Sequence, residues 1–459
     1  MKKYFYKSSM LALMAGVFLT SCDPEIDTPA SSAGQADFTS YVAVGNSLSA
    51  GYADQGLSRA GQLSSVPAIL AEQFKAVGGG EFKQPLFTEA QRNGSGYLRL
   101  AGFTPQGSPI LLPVTTDLAI RSQNPTLYAK YTDNINNLAI PGIRTADIKT
   151  VGYGSPMANP YFERLTDNPM QTYLAYVQEQ AQAANHTFFS AWMAENDVLG
   201  YATSGGFSGN LTDVGVFQTN YSELIDALTA DGEKGIAVTV PNVTAIPFFT
   251  TVGPTLKMGL KAQGATAIMA LTKNTPTRIP LIVENIKDAT GGTALIPLTA
   301  AAYAPLIGTP TGKWWSDNIP RSILGSTLEA YGVDTLQALG TPQNPWPSAL
   351  LLDDAEQADI LARTTAFNDY IKANAQTKNL AVWDAFTFFS NIQSGFSADG
   401  VNYSPAYITG NLFSLDGVHP TPRGYAIIAN EMIKAINAKY NSNVPQVDVT
   451  QYRTVQFPN

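Results

Sequence analysis

The sequence predicts an α/β protein: three layers, α/β/α, around a central and mostly parallel sheet, with long loop or subdomain insertions. Three observations predict it. Apolar runs of strand length alternate with helix-like segments, the pattern of a parallel sheet with helices on its faces. The helical segments keep apolar residues at helical spacing, as with Tyr221, Leu224, Ile225 and Leu228 inside Phe217–Ala230. A serine directly after the first strand run and a histidine near the far end of the chain can meet across such a sheet.

In chain order, Tyr41–Val44 is the first strand, and Ser64–Lys75 is a helix carrying Val66, Ile69, Leu70 and Phe74. Asn137–Gly142 reads as a second strand ended by a Pro-Gly break. Met170–Ala184 is a helix, His186–Trp192 a strand, Phe217–Ala230 a helix and Gly235–Val240 a strand. Ala355–Ala375 is a helix followed by the short strand Leu380–Trp383. Gly424–Tyr440 closes the domain as a helix, with Ile427, Ile428, Met432, Ile433 and Ile436 on one side. Gly78–Asp133 and Thr250–Ser348 do not fit a minimal sheet. Connections of that length are usually functional or form a subdomain.

The start of the chain addresses the compartment. Lys2, Lys3 and Lys7 precede a short apolar run, Met10–Thr20, too short for a stable membrane span. It ends in Leu19-Thr-Ser-Cys22, which resembles a bacterial lipoprotein signal. That resemblance implies a signal peptide over residues 1–21, a lipid on Cys22 and an extracytoplasmic protein anchored to a bacterial membrane, the outer membrane being the expected one. Several acyl chains would hold it firmly, at about 0.8 kcal/mol per buried CH₂. Residues 22–38, rich in Pro, Ser, Ala and Gly, read as a flexible tether. The expected domain spans 39–445 with an insertion at about 250–348, and 446–459 is a C-terminal tail.

Composition narrows the partners. A formal charge of −8 and a pI near 4.9 argue against nucleic acid, which needs a clustered basic surface. Cys22 is the only cysteine, so no intramolecular disulfide or thiolate metal site is available. Neither a metal nor an organic cofactor is expected, and the sequence does not address oligomeric state.

The chemistry concentrates in two stretches. Ser414-Leu-Asp416-Gly-Val-His419-Pro holds one of only two histidines, the side chain suited to taking and returning a proton near neutral pH. Asp416 lies three residues ahead, close enough to orient the imidazole if the backbone turns. At the other end, Tyr41-Val-Ala-Val-Gly45-Asn46-Ser47-Leu-Ser49 presents a serine after a strand, which completes a plausible Ser/His/Asp set. His186 has no such partner and reads as structural. The serine stretch lacks the second glycine of a Gly-x-Ser-x-Gly elbow. Gly308–Trp314 lacks the spacing of a phosphate loop.

Four blocks together resemble the SGNH (GDSL-type) hydrolases, whose fold is flavodoxin-like. Val44-Gly-Asn46-Ser47 is similar to the Gly-Asp-Ser block, Asn137-Leu-Ala-Ile-Pro-Gly142 to the second, Trp192-Met-Ala194-Glu-Asn196-Asp197 to Gly-x-Asn-Asp, and Asp416-Gly-Val-His419 to Asp-x-x-His. The resemblance implies that Ser47 is the nucleophile, His419 the base and Asp416 its orienter. It also implies an oxyanion hole from the Ser47 and Gly142 N–H groups and the Asn196 amide. The expected substrate is a carboxylic ester, whether lipid, acetylated glycan or small soluble ester. Asn46 stands where the family usually has Asp, and Ala194 where it has Gly. Those departures favour the rival reading, a surface binding protein on an inactive scaffold. Trp314, Trp315, Trp346, Phe248 and Phe249 would then be its ligand site.

Overall fold

The computed structural model describes residues 30–105, 107–398 and 400–458. The signal peptide and Cys22 lie outside the described residues. Four strands, β1 (Tyr41–Gly45), β2 (Phe188–Trp192), β3 (Lys234–Val238) and β4 (Ala381–Trp383), form one parallel sheet in that order. In register, Val44 stands beside Ala191, Ser190 beside Ile236 and Val382 beside Ala237. β1 and β2 are buried from end to end, as strands covered on both faces must be.

Parallel strands need crossover connections, and helices supply them. The crossovers carry α1 (Ser47–Ala50), α2 (Val66–Phe74), α3 (Tyr173–Ala184), α4 (Asn196–Thr203), α5 (Val214–Leu228) and α6 (Asp354–Thr377), and α7 (Pro422–Tyr440) follows the last strand. One group packs α2 on α7 and α7 on β4; the other packs α5 against α3 and α6, with α6 on β3 and β4. The result is the expected α/β/α sandwich. α6 begins with a reciprocal capping box between Asp353 and Glu356, and α7 with a Thr421 cap and Pro422 in its first turn.

Asn137–Gly142 is not a strand. It runs beside β1, and Leu138 N and Ile140 N donate to Ala43 O and Gly45 O at 2.8 and 3.0 Å. Only Asn137 forms a bridge, to Ala43. Pro141 then offers no N–H, and Gly142 turns to φ +83°, outside any extended conformation. The segment therefore leaves the sheet at the level where β1 ends.

The two long connections have structure of their own. Gly78–Asp133 contains two hairpins, Tyr97–Phe103 with Pro109–Val114 and Ile120–Gln123 with Thr126–Tyr128. Thr250–Ser348 builds a second apolar core around Trp314, Trp315 and Trp346, with a hairpin, Ala267–Leu271 and Arg278–Ile282, over it. Trp346 Nε1 donates to Leu350 O at 2.9 Å. The three tryptophans are packing residues rather than the lining of a ligand site.

The expected flexible tether over 22–38 does not extend through its last residues: Phe38 is buried against Phe74, and the chain ahead of it is held at the end of α7. Asn443 N donates to Ser32 O at 2.7 Å and Gln35 N to Tyr440 O at 2.7 Å, just beyond α7. Residues after α7 return along the domain, burying Val449 and Val455 and bringing Arg453 to Asp54 at 3.4 Å. No helix among the described residues is long and apolar enough to cross a membrane.

Candidate active site

Ser47 opens α1 at the carboxyl end of β1, the edge where open parallel sheets hold their ligands. It is 7 % exposed, and its Oγ lies 2.9 Å from His419 Nε2. On the other side of the ring, His419 Nδ1 lies 2.9 Å from Asp416 Oδ2. The structure thus brings together three residues from opposite ends of the chain.

The turn from Ser414 to His419 is built around the Asp416 carboxylate. Oδ1 accepts from His419 N at 2.8 Å, Val418 N at 2.9 Å and Ser414 Oγ at 3.1 Å. Oδ2 also accepts from Gln55 N at 2.9 Å. Burial opposes the charge, but His419 and these donors prevail and hold the carboxyl down at about 2. An ionised carboxylate only accepts, so Nδ1 carries the imidazole proton and Nε2 is left to accept from the serine hydroxyl. The Tyr52 ring covers His419 at 4.7 Å between centroids. Its phenol is pushed up to about 12 by burial and by the Asp416 charge.

Asn196 begins α4, just beyond the end of β2. Its Nδ2 donates to Ile143 O at 2.9 Å, next to Gly142, and the second amide hydrogen remains for another acceptor. Its neighbour Asp197 is buried and accepts from Thr145 N at 2.7 Å and Ala146 N at 3.1 Å, which fixes the loop after Gly142. A Cβ at Gly142 would meet only Asn159 Nδ2, at 3.7 Å, so the positive φ rather than crowding calls for glycine. Ser47, Asn196 and His419 share a narrow recess of about 30 Å³ with Val418, Ile246 and Phe389.

One feature, Glu195, went unread in the sequence, and one departure read there, Ala194, shows its backbone conformation. Glu195 is fully buried beside Asn196, and its Oε2 accepts from Asn46 Nδ2 while Asn46 Oδ1 accepts from Leu48 N at 3.1 Å. Burial pushes Glu195 up to about 8, so it is protonated near neutrality. The signal was present in Asn46: an amide replaces the usual carboxylate where a second acid stands opposite. Ala194 is buried at φ +89°, a conformation for which glycine is the unstrained residue. His186 lies away from these groups, its ring nitrogens 3.3 Å from Ala181 O and 3.1 Å from Leu228 O.

A sequence model described as GDSL-like lipase/acylhydrolase matches residues 41–432, a span that includes all four blocks. The chain belongs to the GDSL-like lipase/acylhydrolase family. GDSL-like membership makes it a hydrolase of the acylhydrolase class. No curated protein matches the chain. Among solved structures, LAE5, an α/β hydrolase enzyme from the metagenome of Lake Arreo, Spain, is 11% identical with a TM-score of 0.36, covering 88% of this chain and 97% of that one. A candidate GDSL-like lipase from Parabacteroides merdae is 10% identical with a TM-score of 0.32, covering 88% and 99%. Both scores are too low to bear on the fold, which rests on the sheet itself. Among the described residues, no group of three or more His, Cys, Asp or Glu side chains is arranged to hold a metal.

Proposed function

We propose that this GDSL-like hydrolase cleaves carboxylic esters with Ser47 as nucleophile, His419 as general base and then acid, and Asp416 as orienter. Ser47 Oγ attacks the ester carbon while Nε2 takes its proton. The negative oxygen that forms is met by the Asn196 amide and by the N–H groups of Gly142 and Ser47, the latter in the first helical turn and so without an intrahelical acceptor. His419 returns the proton to the leaving alcohol, and water, activated by the same base, releases the acid from the serine.

The single observation that carries this reading is the unbroken pair of 2.9 Å contacts from Ser47 Oγ through the His419 ring to Asp416 Oδ2. A fluorophosphonate probe tests it, because only an activated serine is labelled. Labelling of the intact protein, and none of Ser47→Ala, is the expected result. A protein that takes no label and cleaves no ester is the binding module instead. We further propose that Cys22 carries lipid and that the protein works outside the cytoplasm on a bacterial membrane, the Leu19–Cys22 motif being the support.

A further inference from the structure

A cleft of about 940 Å³ is lined in part by Leu415 and Asp416, in the turn that also carries His419. That volume is at the upper end of ligand-sized cavities. The hairpin in the first insertion contributes Leu98 and Leu111, and the second insertion contributes Leu256, Leu260, Leu298 and Ile307. No lysine or arginine is among its described lining residues, and the one carboxylate, Asp416, is already held by His419 and three backbone N–H groups. Anionic ligands find no counter-charge there. Neutral polar side chains such as Thr251, Gln263 and Thr299 also line the cleft, but apolar side chains form most of its wall, which favours a mainly hydrocarbon ligand.

The cleft and the recess are lined from the same turn. Leu415 and Asp416 line the cleft, and Val418 and His419 line the recess. Between them Gly417 O accepts from Phe248 N at 2.9 Å, and Phe248 is itself a cleft wall. At 3.8 Å between successive α-carbons, the two sets of walls are at most about 7 Å apart. A short acyl group held at Ser47 would stop in the recess, whereas a long one would cross the turn.

We infer that this cleft receives the acyl chain of a long, uncharged carboxylic ester whose carbonyl is held at Ser47. The inference rests on the ester-hydrolase reading and specifies its substrate class. The inserted segments then set the chain length that the enzyme accepts. Each methylene carried into the cleft should raise kcat/KM by up to about fourfold until the cleft is full.

Gly259 gives a clean probe. It lies on the cleft wall in the helix Gly253–Ala262, and a Cβ there meets nothing within 4 Å, so Gly259→Trp fills space without displacing backbone. 4-Nitrophenyl acetate, octanoate and dodecanoate are compared on wild type, Gly259→Ala and Gly259→Trp. The expected result is a wild-type preference that climbs with chain length and a dodecanoate-to-acetate ratio that falls at least tenfold in the tryptophan variant but not in the alanine one. A wild type that prefers acetate, or a ratio indifferent to tryptophan, overturns the inference. A pyrene-labelled fatty alcohol, uncharged and not a substrate for ester cleavage, titrated into the same proteins reads the cleft without turnover. Binding that tryptophan abolishes supports the cleft even if no ester is cleaved, in which case the Ser47 reading is the one that fails. Absence of binding to wild type overturns the cleft whatever the esterase data show.

Discussion

Asn46 reaches across the carboxyl edge of the sheet to Glu195, so the turn that presents Ser47 and the turn that presents Asn196 are tied by one buried hydrogen bond. The same amide caps α1 through Leu48 N. Asn46 can serve both because an amide donates and accepts, which a carboxylate at this position cannot do. Asn46→Asp restores the residue usual in the family but sets a second carboxyl against Glu195. It should cost about 2 kcal/mol of stability at slightly alkaline pH, where both acids tend to ionise. Denaturant unfolding of the two proteins at pH 6 and pH 9 checks this; an equal stability at pH 9 would refute it.

Glu195 also sets a pH dependence of folding. Burial raises it to about 8, against an ordinary value of about 4.3 in the unfolded chain. Between those values the folded protein keeps a proton that the unfolded chain releases, so stability falls as pH rises through that window. Glu356, raised to about 8 by burial, acts in the same sense. Thermal unfolding should therefore show a falling Tm from pH 5 to pH 8, and Glu195→Gln should flatten part of that slope.

Asp416 has the opposite sign and a direct part in the proposed chemistry. Its stabilising contribution is present above the ordinary aspartate range and disappears as pH falls toward about 2. Asp416→Asn removes the charge that fixes the His419 proton on Nδ1, and kcat should drop on the order of 10³–10⁴-fold with KM little changed. Steady-state kinetics on a soluble ester decide it. A drop of less than tenfold would mean that another group orients the ring.

Ala194→Gly should stabilise the protein by about 1 kcal/mol, since glycine takes φ +89° without the Cβ penalty and that gain exceeds its larger unfolded-state entropy. A lower Tm in the glycine variant would show that the Ala194 methyl contributes more by packing than it costs in strain.

His186→Ala should lower stability by about 1–3 kcal/mol, because the ring is buried between the ends of α3 and α5. Ester kinetics of the folded variant should match wild type. A large fall in kcat at temperatures where the variant remains folded would contradict a purely structural role.

Cys22→Ser should move the protein from the membrane to the soluble fraction with no change in the specific activity of the folded domain. Fractionation of cells expressing each form is the measurement, and a variant that still sediments with membranes would place the attachment elsewhere.

Much of this molecule could be read from local pattern. The runs at Tyr41 and Phe188 are apolar because both faces of the sheet are covered, and the spacing in α5 and α7 marks their buried sides. Ser47, Asp416 and His419 were legible because their residue types are scarce or motif-bound; the structure brings them within hydrogen-bond distance. What escaped was set by contacts between distant segments. Asn137–Gly142 has the composition of a strand, yet Pro141 and Gly142 end its pairing with β1. The tryptophans near 314 and 346 have no periodic signature because their shared core forms only when the inserted chain closes on itself. Glu195 carries no role in the motif around it, and its burial follows from the parallel register of β1 and β2, which no local window contains.

The last helix gives the domain a direction. α7 starts three residues after His419 and runs 19 residues, about 28 Å, down the flank of the sheet to Tyr440. There the incoming chain at Ser32 and Gln35 is stitched to it. The mouth and the point of entry are therefore opposite poles of the protein. A lipid on Cys22, as proposed, would attach the molecule at the pole opposite Ser47. How far that mouth can stand from the bilayer is then set by the short stretch between Cys22 and Ser32, at no more than about 3.5 Å per residue.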